Sequence, residues 1–220
     1  MLTQRRIWFG AETLAAALAL GAVAVLSLIL FVNPPLAHWL TIEDGVVEWL
    51  QVILDAMAAL LFARHLVRDG AHSPRSPFDV LIVAALIGLI IGELDVDRWL
   101  FGRKIIKTSF LISGNVALPW RLLAALVVVG VPAAFGVYAL RHVPTLWREG
   151  WSALAQPWGR VLAASVLVLA LTELFERPLG HVPGVPHFFL EETLELVGSI
   201  GFVVAAAARP ASSPRRPTTL

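Results

Sequence analysis

Asp44, Glu48, Gln51 and Asp55 stand at i, i+4, i+7 and i+11. On an α-helix that spacing puts all four on one face. Three further acidic stripes follow the same logic. Glu93 and Asp97 lie at i, i+4, Glu173 and Glu176 at i, i+3, and Glu192, Glu195 and Ser199 at i, i+3, i+7. Carboxylates set in apolar surroundings have three uses: they pair with arginine, bind a metal ion, or exchange protons. Glu48, Asp55, Glu93, Glu173 and Glu195 are the candidates for an ion or proton site. Oxygen sets suit a divalent metal ion such as Mg²⁺, Ca²⁺ or Mn²⁺, and added imidazole suits Zn²⁺ or iron. His38, His181 and Asp97 are the residues that would complete such a metal set. No residue is assigned a catalytic role.

Each of these groups also has a plainer use. Glu43, Asp44, Glu191 and Glu192 open helices, where an acid stabilises the macrodipole by ~0.3–1 kcal/mol. Arg98, Arg121 and Arg177 are near enough in sequence to pair with the deeper acids. His38, His181 and His187 sit among prolines, where a surface histidine is ordinary. Asp55 is hardest to explain this way, because it has no basic residue close in sequence. About 16 Å separates the two ends of its stripe at 1.5 Å per residue, which sets Asp55 near mid-membrane.

The elements that must position these residues are membrane spans. The chain is 58% hydrophobic and 15% charged, against about 45–50% and about 25% for an ordinary soluble domain. Six apolar runs, at 7–32, 46–67, 78–94, 118–140, 161–175 and 190–208, approach the ~20 residues that cross a bilayer. The expected fold is all-α, a polytopic membrane protein of six transmembrane helices over residues 1–209, with a disordered cytoplasmic tail at 210–220. Arg5-Arg6 before the first run mimics a signal peptide, but the run is too long and is read as a retained helix.

Basic residues give the orientation. Eleven fall on one side of such a six-span layout and six on the other. Both termini are therefore expected in the cytoplasm. Only four of the sixteen acids accompany the eleven; the other twelve face outward or lie in helices open outward. Arg- and Ala-rich composition points to a bacterial inner membrane.

Local signals agree with these spans. Ser76-Pro77-Phe78-Asp79 reads as an N-cap, a first-position proline and a first-turn acid. Thr41-Ile42-Glu43-Asp44 reads as a capping box for the second span. Pro132 is expected to kink the fourth. Trp147, Trp151 and Leu154, at i, i+4, i+7, suit a short helix in the cytoplasmic interface. Trp39, Trp49, Trp99 and Trp120 read as an interfacial belt. Pro35-Leu36-Ala37-His38 is echoed by Pro178-Leu179-Gly180-His181, each followed by an acidic helix start, and Gly92-Glu93-Leu94 parallels Thr172-Glu173-Leu174, which suggests three repeated helical hairpins.

The absence of cysteine excludes disulfides, thiolate nucleophiles and Cys-ligated metal. No phosphate-binding loop, His-Glu-x-x-His or Gly-x-Ser-x-Gly occurs, and no dense basic patch suits nucleic acid. The Glu-Asp-Gly helix start, the Gly-Glu-Leu-Asp helix end and the late Glu-Glu-x-x-Glu together resemble multi-span bacterial proteins, a resemblance that carries no activity. The leading expectation is a cation- or proton-binding inner-membrane protein used in transport, with the lipid bilayer and a homo-oligomer or membrane complex as partners. The alternatives are an intramembrane metal-dependent enzyme acting on a lipid or isoprenoid, and a structural or assembly subunit. The enzyme requires His38 and His181 to converge with Glu48 and Glu195. The subunit requires every buried acid to be paired with arginine.

Overall fold

The computed structural model describes residues 2–41, 45–70, 76–94, 117–176 and 186–210, with side chains except at 2–9, 69–70, 128 and 173–176. Among the described residues the chain forms nine α-helices and a π-helical turn, with no strand. They are α1 (Leu2–Val32), α2 (Pro34–Leu40), α3 (Val46–Gly70), α4 (Pro77–Glu93), α5 (Leu118–Ala125), the π turn (Leu126–Gly130), α6 (Val131–Arg141), α7 (Val143–Leu154), α8 (Pro157–Glu176) and α9 (His187–Ala208). Two contain segments long and apolar enough to cross a membrane: Gly10–Val32 in α1 and Val46–Arg68 in α3. A bent pair, Val143–Leu154 with Pro157–Thr172, is a third if its 106° corner belongs to one span. The 17 residues of α4 cover only about 26 Å. In α9 the uncharged stretch starts only after Glu195.

Prolines set most of the breaks. Pro34 has no N–H to continue α1, so Asn33 turns the chain and accepts a bond from Leu36 N at 3.2 Å. Ser76 accepts from Asp79 N at 3.3 Å with Pro77 at the first helical position, as its sequence predicts. Thr41 does otherwise: its hydroxyl donates back to Ala37 O at 3.0 Å and closes α2 instead of opening α3. Glu43 and Asp44 lie outside the described residues. Ahead of Pro132, between α5 and α6, the helix widens, and Val131 N bonds Leu126 O five residues back. That π turn is how the helix accommodates a proline that removes one donor.

At the α7–α8 corner, Trp158 Nε1 donates to Gln156 Oε1 at 2.9 Å. A side chain at Gly159 would overlap the Ala153 backbone, so the corner requires glycine. One face of α7 docks on the start of α4, where Glu149 accepts from Ser76 Oγ at 2.9 Å and Phe78 N at 3.2 Å. The opposite face exposes Trp147 and Trp151, whose rings meet edge-on at 5.5 Å. The helix the sequence predicts here is present, and one apolar face of it is left open.

The centre of the bundle is α9, which packs against α1, α3 and α8. In lipid, helices gain little by hiding apolar surface from one another and associate through close packing and hydrogen bonds. Gly198 and Gly201 provide the close packing. A Cβ at Gly201 would overlap Ser165 Oγ, and one at Gly198 would lie 2.8 Å from Leu169 Cδ2. One apolar cluster, with Phe62, Leu86, Trp158 and Ala205, joins α3, α4, α8 and α9 at one end. A second, with Leu26, Ala37, Val47, Phe189 and Leu196, joins α1, α2, α3 and α9 at the other.

The two ends differ in charge. At the first, Arg209 forks across both Asp79 oxygens, with Nη2 to Oδ2 at 2.7 Å. Nearby, Arg160 Nε meets Glu12 Oε1 at 2.6 Å. The second end gathers carboxylates.

Candidate functional site

The first turns of α3 and α9 bring two acidic stripes face to face. The helices run parallel here. Gln51, in the second turn of α3, donates from Nε2 to Glu192 O at 2.9 Å and to Glu192 Oε2 at 3.2 Å. One turn deeper on α3 and two turns deeper on α9, the Ser199 hydroxyl donates to the Asp55 carboxylate. Burial follows the stripe: Gln51 is 1% exposed and Asp55 3%. The 3.6-residue period predicts this face, and the structure turns its two deeper members, Gln51 and Asp55, inward while Glu48 is half-buried.

Two atoms in this seam have no hydrogen-bond partner among the described residues, Gln51 Oε1 and Asp55 Oδ1. Both are acceptors. An orphaned buried acceptor costs roughly 1–3 kcal/mol, and few native groups are left so. Two other buried hydroxyls are satisfied within their own helices. Thr193 Oγ1 donates to Phe189 O at 2.6 Å and Ser165 Oγ to Val161 O at 2.9 Å. Ser199 differs in reaching across to α3.

Around the mouth of the seam, Glu48, Glu93 and Glu191 lie within electrostatic reach of Glu192. So α3, α4 and α9 each contribute a carboxylate to one end. Glu48 and Glu93 are both half-buried. Glu195 follows Glu192 by one turn and is half-buried. The Glu173 side chain, Asp97 and His181 lie outside the described residues. His38 is on α2 and exposed. Among the described residues no three His, Asp or Glu side chains are grouped so as to hold a metal ion. Arg121, a candidate partner for the acids, has a buried Nε without a partner among the described residues.

Glu192 is the member that sequence reasoning undervalues. As a first-turn acid it reads as a dipole partner, yet it is the group to which Gln51 is bonded and around which the other acids gather. The signal was its place at i, i+3, i+7 with Glu195 and Ser199. At the opposite end, Arg209 is the missed partner of Asp79, which otherwise reads as a first-turn acid.

Chemically, the seam offers carboxylate and neutral oxygens in a buried setting and no basic side chain against Asp55 among the described residues. That arrangement accepts a positive charge. Comparison with protein-family models, with curated proteins and with solved structures finds no match.

Proposed function

We propose that this chain is a six-span inner-membrane protein whose acidic end binds a cation or protons, and that it works as a small ion-coupled transporter. The observation that carries the reading is Asp55, 3% exposed on a helix apolar enough to span a membrane, with a carboxylate oxygen lacking any donor among the described residues. An acid at such depth costs at least ~2.5–3.5 kcal/mol on insertion scales and is retained where it meets water, a partner or an ion. Glu48, Glu93 and Glu195 form the approach from the outer face, with Glu173 as a further member. Asp55 also argues against a purely structural subunit, whose buried acids would all be paired as Asp79 is.

The six-span layout joins 7–32, 46–67, 78–94, 118–140, 161–175 and 190–208, and suits three outward-opening hairpins. The Arg160–Glu12 and Arg209–Asp79 pairs support it, since each joins helix ends that the layout assigns to the cytoplasm. Exposed Trp39, Trp49 and Trp120 suit the outer interface. Reporter fusions test the topology. A reporter at the C-terminus should be active only as a cytoplasmic enzyme; periplasmic activity there would overturn both the count and the orientation.

Function is tested in proteoliposomes with imposed proton and cation gradients. The wild-type protein should dissipate at least one of them. Asp55→Asn should insert normally and abolish that flux, because it keeps the shape but removes the charge. Glu48→Gln should slow it less, since neighbouring acids can substitute. Unchanged flux in Asp55→Asn would refute the transport reading.

A further inference from the structure

The identity of the positive charge follows from which atoms of the seam are left over. Gln51 is fixed by two bonds from its nitrogen to Glu192. Its amide is planar, so Oε1 is turned away from Glu192, and it is buried with no partner. Asp55 stands four residues on, on the same face, its carboxylate hydrogen-bonded by Ser199. The two orphans thus belong to residues four apart on one face of one helix, on consecutive turns, each residue at least 97% buried. Both need a donor or a cation.

We infer that Gln51 Oε1 and Asp55 Oδ1 hold a dehydrated alkali cation, of which sodium is the natural probe. This rests on the proposed cation or proton site and specifies its ligand. Charge selects the class. The innermost donors are one carboxylate, one amide oxygen and one hydroxyl, a set with a single negative charge. A monovalent ion neutralises it; a divalent ion would leave a buried excess positive charge. Glu192 is already bonded to Gln51, and no three-residue metal group exists among the described residues. Hard oxygen donors suit an alkali ion and disfavour soft transition metals. The acids at the mouth draw cations toward the seam without having to ligate them.

The experiment is thermal unfolding of the purified full-length protein in detergent, titrated with NaCl, LiCl or KCl against choline chloride at constant ionic strength. Binding to the folded state alone should raise the wild-type Tm steadily with the logarithm of concentration, by about 5–10 °C at a hundredfold above half-saturation. At least one alkali ion should do so, and the response should vanish in both Asp55→Asn and Gln51→Leu. If all three ions leave the wild-type Tm unmoved while the protein still dissipates a proton gradient, this inference falls and the broader reading stands with a proton as its ligand. If neither response exists, both fall. An alkali-dependent shift that survives Asp55→Asn would place the ion elsewhere and overturn the assignment.

Discussion

Replacing Arg209 by alanine is expected to destabilise the protein by about 3–5 kcal/mol, the usual result of stranding one half of a buried ion pair. Asp79 is 1% exposed and would be left without its counterpart. The guanidinium also caps aromatic rings, lying 4.9 Å from the Trp158 centroid and 6.0 Å from that of Phe62. It therefore joins four helices at one end: α9 by its own chain, α4 through Asp79, α8 through Trp158 and α3 through Phe62. At about 2–4 °C per kcal/mol for a chain of this size, Tm in detergent should fall by about 6–20 °C. Arg209→Lys should recover part of the loss, since lysine keeps the charge but not the fork or the stacking. The double variant Asp79→Asn with Arg209→Met should stand closer to wild type than Arg209→Ala, because no lone charge remains. A Tm for Arg209→Ala within a degree of wild type would show that the pair contributes nothing.

What was legible beforehand divides along a physical line. Features set by neighbours in sequence were readable. Ser76-Pro77 starts α4 where expected, the helix around Pro132 is distorted, and the Trp147–Trp151 stripe forms its own helix beside a sharp corner. The α3 stripe was readable for the same reason, since helical periodicity fixes which residues share a face. Features set by how helices meet were not. Asp79 and Arg209 are 130 residues apart, and nothing local to either announces the other. Gln51 and Glu192 are 141 apart, and their meeting depends on how α9 sits against α3 and α8, the latter contact made close by two glycines. Thr41 shows the limit even of local rules: its hydroxyl had two helices within reach and bonded back to the first. The hairpin repeat rests partly on His181 and its surroundings, outside the described residues, and stays with the proposed function.

The two buried aspartates are opposite cases, and that contrast supplies the sharpest expectation. Asp79 is matched atom for atom by Arg209, so neutralising it should weaken the fold. Asp55 is matched only on one oxygen, so neutralising it should strengthen the fold. In ion-free buffer Asp55→Asn is expected to raise Tm. The new amide can still accept from Ser199 through its oxygen, while its nitrogen donates toward Gln51 Oε1 on the same helix face. One substitution then removes a lone buried charge and gives an orphaned acceptor a donor. Each orphan is worth about 1–3 kcal/mol, and each kcal/mol moves Tm by about 2–4 °C. An upward shift of several degrees, together with loss of flux, is the signature of a residue kept for function at the expense of stability. Asp79→Asn, measured beside it, should shift Tm downward. If Asp55→Asn instead lowers Tm by as much as Asp79→Asn does, Asp55 is a structural partner of some group in the folded chain, and the acidic seam is a packing device with no ion to carry.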